Sequence, residues 1–480
     1  MCRVNLQLQG NEYQNIELKI LENLCSDMIL GLDFQRQHKA VKIVYSGPRE
    51  ELIVNNMSDK VCSLIEAKVE KQSIFTNMKP SCTPIISKSR SFNKQDQEFI
   101  ANEITRLLSE KVIEPSVSPW RAQIVIAKNE QNPNKRRLCI DYSTTVNIYT
   151  ELDSYPLPKL DKMINDLANY KYFSTFDLKS AYHQIPIKDE EKPLTAFEAN
   201  GKIYQFNRIP FGVTNGVATF QRIMDQIIEE EDLKNVFPYL DNITVAGNTQ
   251  EDHDESVKKF LEAVKRRNLT INENKTIKSV KSINLLGYLL EYKGIRPDPE
   301  RLKPLQDLPP PSNKASLQRT LGLFAYYAKW IPKFSDVAQP LLKVSSFPMT
   351  EEALSSFKQL KILLGDAALS SIDESIPFVV ECDASDVAVS ATLNQNGRPV
   401  AFMSRTLSGS EIHYPPVEKE ATSIIEAIRK WSHLLSGRQF KIITDQRSVA
   451  FMLDSRRRSK IKNDKIQCWR LELASFNYII

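Results

Sequence analysis

Phe237-Pro238-Tyr239-Leu240-Asp241-Asn242-Ile243-Thr244-Val245 carries the signal that sets the fold. Two short apolar runs flank an acidic dipeptide. Asp and Asn both tolerate positive φ, so the pair predicts a tight β-hairpin turn at Asp241-Asn242. Such a turn lifts the Asp241 carboxylate out of a rigid sheet. A second carboxylate, Asp177, closes another apolar run, Tyr172-Phe173-Ser174-Thr175-Phe176-Asp177. Taken singly, either residue fits a purely conformational role, because hairpin turns favour Asp and Asn. Taken together, two carboxylates at strand ends form a seat for Mg2+ in phosphoryl transfer.

Working outward, the chain has 480 residues, enough for several domains. Its apolar fraction, 41%, suits ordinary globular cores. No run of 18 apolar residues occurs, so no membrane-spanning helix is expected, and the first residues carry no signal-peptide pattern. Seven cysteines lie scattered without CxxC pairs or zinc spacing, which points to reduced thiols inside a cell. The net charge of +5 is modest, but its distribution is uneven. Lys135-Arg136-Arg137, Lys265-Arg266-Arg267 and Arg456-Arg457-Arg458 are basic clusters that suit a phosphate-rich partner or a solvated face. The second lies beside the helical stripe Val257, Phe260, Leu261, Val264, so part of it is simply a surface helix.

Four phrases occur in one order: Phe176-Asp177-Leu178-Lys179-Ser180-Ala181-Tyr182-His183-Gln184-Ile185, Ile209-Pro210-Phe211-Gly212-Val213-Thr214-Asn215-Gly216-Val217-Ala218-Thr219-Phe220-Gln221, Tyr239-Leu240-Asp241-Asn242 and Leu285-Leu286-Gly287-Tyr288. Together they closely resemble the reverse transcriptase of gypsy-like LTR retrotransposons. Further on, Glu381-Cys382-Asp383-Ala384-Ser385, Val417-Glu418-Lys419-Glu420-Ala421 and Ile443-Thr444-Asp445-Gln446-Arg447-Ser448 resemble the nuclease of the same elements. Near the start, Ile29-Leu30-Gly31-Leu32-Asp33-Phe34 resembles the C-terminal end of a retropepsin-like aspartic protease. The catalytic Asp-Thr/Ser-Gly triplet is absent upstream, and half such a site cannot share a proton between two carboxylates. This part therefore reads as a remnant, with no catalytic role for Asp33.

The resemblance implies an α+β fold, a right-hand polymerase with fingers, palm and thumb, followed by an RNase H-like α/β domain. The expected layout is a protease remnant over 1–45, a linker over 46–95, fingers and palm over 96–292, a thumb or connection over 293–350 and the RNase H-like domain over 351–480. Within it, periodicity predicts a helix near Lys94 to Glu110 with Phe99, Ile104, Leu107 and Leu108 on one stripe. The runs 123–128 and 137–142 read as an antiparallel fingers hairpin. Pro309-Pro310-Pro311 is a stiff connector, followed by a helix from Lys314 to about Ile331. From Pro377 onward the order is strand, strand, Asn396-Gly397 turn, strand, long helix, strand.

The resemblance also implies roles. Two Mg2+ ions per active site, with Mn2+ as a substitute, would be held in the polymerase by Asp177, Asp241 and the backbone carbonyl of Leu178. The family usually has a second acid after Asp241; here it is Asn242, which can coordinate or accept a hydrogen bond but brings no charge. Arg137 matches the triphosphate clamp, since a guanidinium suits two phosphate oxygens at once, and Lys128 steadies the same phosphates. Tyr182 matches the aromatic gate that excludes a 2′-hydroxyl, and otherwise reads as a core aromatic. Phe211 and Gly212 match the turn under the incoming base. Gln221 and Arg222 are weaker template contacts. In the nuclease, Asp383, Glu420 and Asp445 match three metal-binding carboxylates; Glu418 is the decoy and Asp386 a turn residue. The family's fourth acid lies beyond Ile480, and Tyr478-Ile479-Ile480 falls inside an apolar run.

The implied function is RNA-directed DNA polymerase of a retrotransposon, with a domain that degrades RNA in RNA–DNA hybrids when complete. Implied partners are RNA template, DNA primer, RNA–DNA hybrid, dNTPs and other Pol and Gag products, with no membrane. The implied location is intracellular, in a cytoplasmic virus-like particle and the nucleus. The rival reading is a catalytically decayed or domesticated nucleic-acid-binding protein, which Asn242 favours; a structural protein on the same fold is the third.

Overall fold

The computed structural model describes the backbone of 2–8 and 11–18, and residues 67–128, 136–454 and 464–480. In the first of two units, Met1–Ser63, strands β1 (Cys2–Leu8) and β2 (Asn11–Leu18) pair antiparallel. Asp33 and the rest of the protease-like phrase lie outside the described residues, as does the cluster at 456–458.

The second unit, Leu64–Ile480, starts within the expected linker. Instead, Ala67, Ile74 and Phe75 are buried in the first hydrophobic core. The Ala67 N–H donates to the Gln184 carbonyl at 2.9 Å, and the Ile74 N–H donates to Glu191 Oε2 at 2.7 Å. The polar, Pro-containing composition of this stretch hides three apolar anchors that lace it onto the first core.

Helix α1 (Lys94–Ser109) opens with Asn93 as N-cap, its side chain accepting from the Asp96 N–H at 2.8 Å, and buries Ile100, Ile104 and Leu107. Strands β3 (Ile113–Pro115), β4 (Ala122–Lys128) and β5 (Arg136–Asp141) follow. The β4–β5 pair is the expected antiparallel hairpin, Gln123 opposite Asp141. After α2 (Leu160–Leu167) comes β6 (Tyr172–Asp177). Strands β7 (Phe197–Ala199) and β8 (Lys202–Phe206) complete a fingers sheet in the order β3-β8-β7-β4-β5.

Helix α3 (Gly216–Glu230), strands β9 (Val236–Tyr239) and β10 (Asn242–Gly247), helix α4 (Gln250–Arg266) and strand β11 (Ile277–Val280) build the palm. Its sheet runs β11-β6-β10-β9, with β6 and β10 antiparallel. Alternation explains its two faces. Phe176 and Ile243 are register partners and join the first core, where the Phe176 ring lies 5.0 Å from that of Phe260 on α4. Phe173 and Ala246 are also partners and join the second core. Gly247 permits the close approach of α4: a Cβ there would lie 2.5 Å from the His253 Cα. His253 in turn hydrogen-bonds the buried Ser174 hydroxyl at 2.9 Å, fixing helix to strand.

The second core crosses the expected boundaries. Strands β12 (Ser282–Leu285), β13 (Tyr288–Glu291) and β14 (Gly294–Pro297) form one sheet that straddles 293. Helices α5 (Pro299–Gln306), α6 (Lys314–Tyr326), α7 (Phe334–Leu342) and α8 (Glu351–Gly365) pack under it, and β15 (Leu369–Ser370) closes its edge against β14. Phe357, Leu360 and Leu364 of α8 share a core with Leu305 and Phe324. Residues 351–370 therefore belong with the connection, because that core takes the apolar stripe of α8.

The nuclease core is separate and begins at Phe378. Strands β16 (Val379–Ala384), β17 (Ala388–Gln395) and β18 (Arg398–Thr406) precede helix α9 (Pro416–Leu435). Then come β19 (Gln439–Ile443), α10 (Arg447–Leu453), α11 (Asp464–Leu473) and β20 (Asn477–Ile479). The sheet order is β18-β17-β16-β19-β20, with β19 parallel to β16. Asn396 and Gly397 both have positive φ, +50° and +73°, as the β17–β18 turn demands.

Candidate active sites

The palm site is built by β6 and the β9–β10 hairpin. Asn242 opens β10 and is the register partner of both Tyr239 and Asp177. The turn is therefore Leu240-Asp241, not Asp241-Asn242. Leu240 takes the positive φ, +56°, although a leucine disfavours it. Gln221 compensates. Fully buried on α3, it accepts from the Leu240 N–H at 2.9 Å and donates to the Pro238 carbonyl at 3.3 Å. Its expected template contact gives way to this brace, because burial removes it from solvent.

Backbone bonds stitch Asp177 to Asp241: the Leu178 N–H donates to the Asp241 carbonyl at 3.1 Å. Asp177 directly follows Phe176 on β6 and so lies on the opposite face of the strand. Its carboxylate receives Asn272 Nδ2 at 3.3 Å and Lys275 Nζ at 3.0 Å. Asn272 and Lys275 lie in the loop after α4, and sequence reasoning missed both; the polar run Asn272-Glu273-Asn274-Lys275 was the available signal.

Tyr182 stands beside this pair. Its ring lies 5.1 Å from Phe211 and 5.0 Å from Phe220, and burial, then the Asp241 charge, raises its phenol pKa. Phe211 is 49% exposed, and its ring also packs against the buried His183 at 4.9 Å. Gly212 has φ +91°, and a Cβ there would lie 3.3 Å from the Ile140 carbonyl.

The fingers residues are less closely gathered. Arg137 is exposed on β5, without an ion-pair partner among the described residues, and no hydrogen bond links it to Asp177 or Asp241. Lys128 ends β4, and its side chain lies outside the described residues. Two basic assignments change. Arg136 pairs with Asp96 at 2.9 Å, and Arg222 pairs with Asp153 and covers the Tyr155 ring at 4.9 Å. Arg266 and Arg267 are held by Glu231 at 2.6 and 2.8 Å, with Glu230 on Arg267 at 2.7 Å, so these two guanidiniums tie α4 to α3.

The nuclease site joins one helix to two strands. Asp383 lies on β16, Glu420 in the first turns of α9 and Asp445 just after β19. Glu420 is buried and Asp445 exposed. Burial, then the charges of Asp445 and Asp383, pushes the Glu420 carboxyl up to about 7, although the Thr444 hydroxyl, donating at 2.7 Å, and the Ala384 N–H pull it back. Glu418 instead takes Lys465 at 3.0 Å, and Asp386, 97% exposed at its side chain, takes Lys419 at 3.1 Å. Lys333, just before α7, pairs with Asp383. Among the described residues, no three acids, histidines or cysteines are drawn tightly enough to enclose a metal. No described helix is long and apolar enough to cross a membrane.

Residues 126–290 match the reverse transcriptase (RNA-dependent DNA polymerase) family, and 373–476 match the RNase H-like domain found in reverse transcriptase. The retrovirus-related Pol polyprotein from transposon opus of Drosophila melanogaster is 31% identical over 88% of this chain and 45% of its own length. The corresponding polyprotein from transposon gypsy of the same fly is 30% identical over 99% of this chain and 47% of its own. The chain thus spans about half the length of these curated relatives. In fold it is similar to the foamy viral protease-reverse transcriptase solved with dsDNA, with a TM-score of 0.75 and 21% identity over 86% of this chain and 88% of that one.

Proposed function

We propose that this chain, which belongs to the retrotransposon Pol polyprotein family and carries its reverse transcriptase and RNase H-like domains, is an RNA-directed DNA polymerase with an attached hybrid nuclease. The observation that carries the reading is the stitching of Asp177 and Asp241 at one end of the palm sheet by the Leu178 N–H. Substrates follow from it: dNTPs, a DNA primer and an RNA template, with RNA–DNA hybrid at the second site. The structural neighbour's dsDNA supports a duplex partner.

The donor set fits hard divalent cations. Asp177 and Asp241 offer carboxylate oxygens, Leu178 a carbonyl, and the Lys275 ammonium on Asp177 marks a place where positive charge is favoured. Mg2+, two per site as the family implies, would supply charge neutralisation at the attacking and leaving oxygens. Asp383, Glu420 and Asp445 would hold it in the nuclease.

The remaining steps belong to the chain's own side chains. Tyr182, wedged between Phe211 and Phe220, presents its ring where a 2′-hydroxyl would stand and selects deoxynucleotides. Phe211 and Gly212 support the incoming base. Arg137, exposed on β5, would offer its guanidinium to triphosphate oxygens, the role that the family resemblance gives it together with Lys128. Asn242 keeps an oxygen next to the carboxylates without a third charge, and that missing charge is what favours a decayed, binding-only descendant as the second reading.

The test is extension of a labelled DNA primer on an RNA template by the purified chain with Mg2+ and dNTPs. Template-directed products support a polymerase. Duplex binding without extension, at any Mg2+ or Mn2+ concentration, would select the binding-only reading.

A further inference from the structure

The nuclease centre contains a cation of its own. Lys333 comes from the connection, 50 residues before Asp383, yet it pairs with that carboxylate. Three features hold it there. Ile331 is fully buried, anchoring the segment that leads to it. Lys333 itself has φ +50°, a left-handed backbone that turns the chain into α7. Just beyond, the Ser335 N–H donates to the Ser404 hydroxyl of β18 at 2.9 Å, and the Ser385 hydroxyl donates to Asp336. A tethered ion of this kind acts at a high effective concentration and competes with any dissolved cation for the same oxygens.

We propose that Lys333 is the resident counter-ion of the nuclease centre, exchanged for the divalent ion when metal binds, so that the segment 333–336 of the connection sets the metal affinity of the nuclease. The inference rests on the reading of Asp383 as a metal ligand. The exchange is purely electrostatic: the ammonium leaves Asp383 as the metal arrives, and no covalent bond changes. Because the pair is partly exposed, at 59% and 43% of the two side chains, its weight is that of a surface ion pair.

The test is Mn2+ titration of the full chain, with free ion counted by electron paramagnetic resonance. Asp177→Asn and Asp241→Asn are placed in every sample to silence the palm. Lys333→Ala should tighten Mn2+ binding about two- to fivefold, the range that such a pair supports. Lys333→Gly, which suits the left-handed backbone, should do the same, and Lys333→Arg should keep the parent affinity. Asp383→Asn should weaken binding. Unchanged or weaker binding in both the Ala and Gly variants, with Asp383→Asn still weakening it, would overturn the counter-ion and leave the ligand reading standing. An Asp383→Asn protein that binds like the parent would remove the ligand reading and the inference with it.

Discussion

The palm and nuclease sites hold carboxylates in opposite ways. In the palm, a hairpin turn carries Asp241 beside a strand end, and the two acids are linked through backbone, Leu178 N–H to Asp241 carbonyl. In the nuclease, a helix pushes Glu420 into the fold between Asp383 and Asp445, and burial plus like charge raise its pKa to about 7. The palm pair is thus pre-organised by main chain, with the Asp177 side chain only 14% exposed. The nuclease stores electrostatic repulsion that a bound cation would relieve. Both place a lysine from a distant loop on one acid, Lys275 on Asp177 and Lys333 on Asp383.

The contrast breaks first at the palm acids. Asp177→Ala should lower primer extension by about three orders of magnitude, several kcal/mol of lost charge stabilisation, while thermal melting barely moves. Extension within tenfold of the parent, in a single-turnover assay, would remove Asp177 from the chemistry.

A smaller effect separates the sites by pH. Glu420 binds its proton more tightly folded than unfolded, 7 against 4.5. In metal-free protein its contribution to stability is therefore complete below pH 4.5 and is lost as pH rises through 7. Glu420→Gln should stabilise the nuclease domain by about 2 kcal/mol at pH 8 in EDTA, and by almost nothing at pH 4. Chemical denaturation at both pH values checks it; a pH-independent difference would mean that packing, not charge, governs this site.

Next comes the gate. Tyr182→Val should lower the preference for dNTP over rNTP about tenfold, more than it lowers dNTP incorporation itself. Equal losses for both nucleotides would return Tyr182 to a packing role between Phe211 and Phe220. Smallest is Asn242→Asp. A restored charge should lower the Mg2+ concentration for half-maximal extension by about two- to threefold, the worth of a partly exposed charge interaction. No shift would show that position 242 does not tune the metal site.

Legibility in the sequence followed locality. The hairpin, the fingers pair and the Asn396-Gly397 turn were readable because period-two alternation and residues suited to positive φ act over a few positions. The palm turn was misread by one residue. Asp and Asn are favoured at positive φ, but Leu240 takes it, held by a glutamine from a helix nearly twenty positions earlier. Lys275, Asn272 and Lys333 were missed for the same reason, since the fold alone brings them to Asp177 and Asp383. The cluster 265–267 suits either a phosphate-rich partner or a surface helix face, and two of its arginines answer Glu230 and Glu231. The boundary at 351 failed because the apolar stripe of α8 does not say which core it enters.

If the palm acids carry the chemistry, extension depends on them and is independent of the nuclease acids. This dependence is tested most directly by primer extension on one RNA template with the parent chain, Asp241→Asn and Asp383→Asn side by side. Asp241→Asn is expected to abolish extension, while Asp383→Asn extends within twofold of the parent. Extension surviving in Asp241→Asn, or lost equally in both, would contradict that dependence.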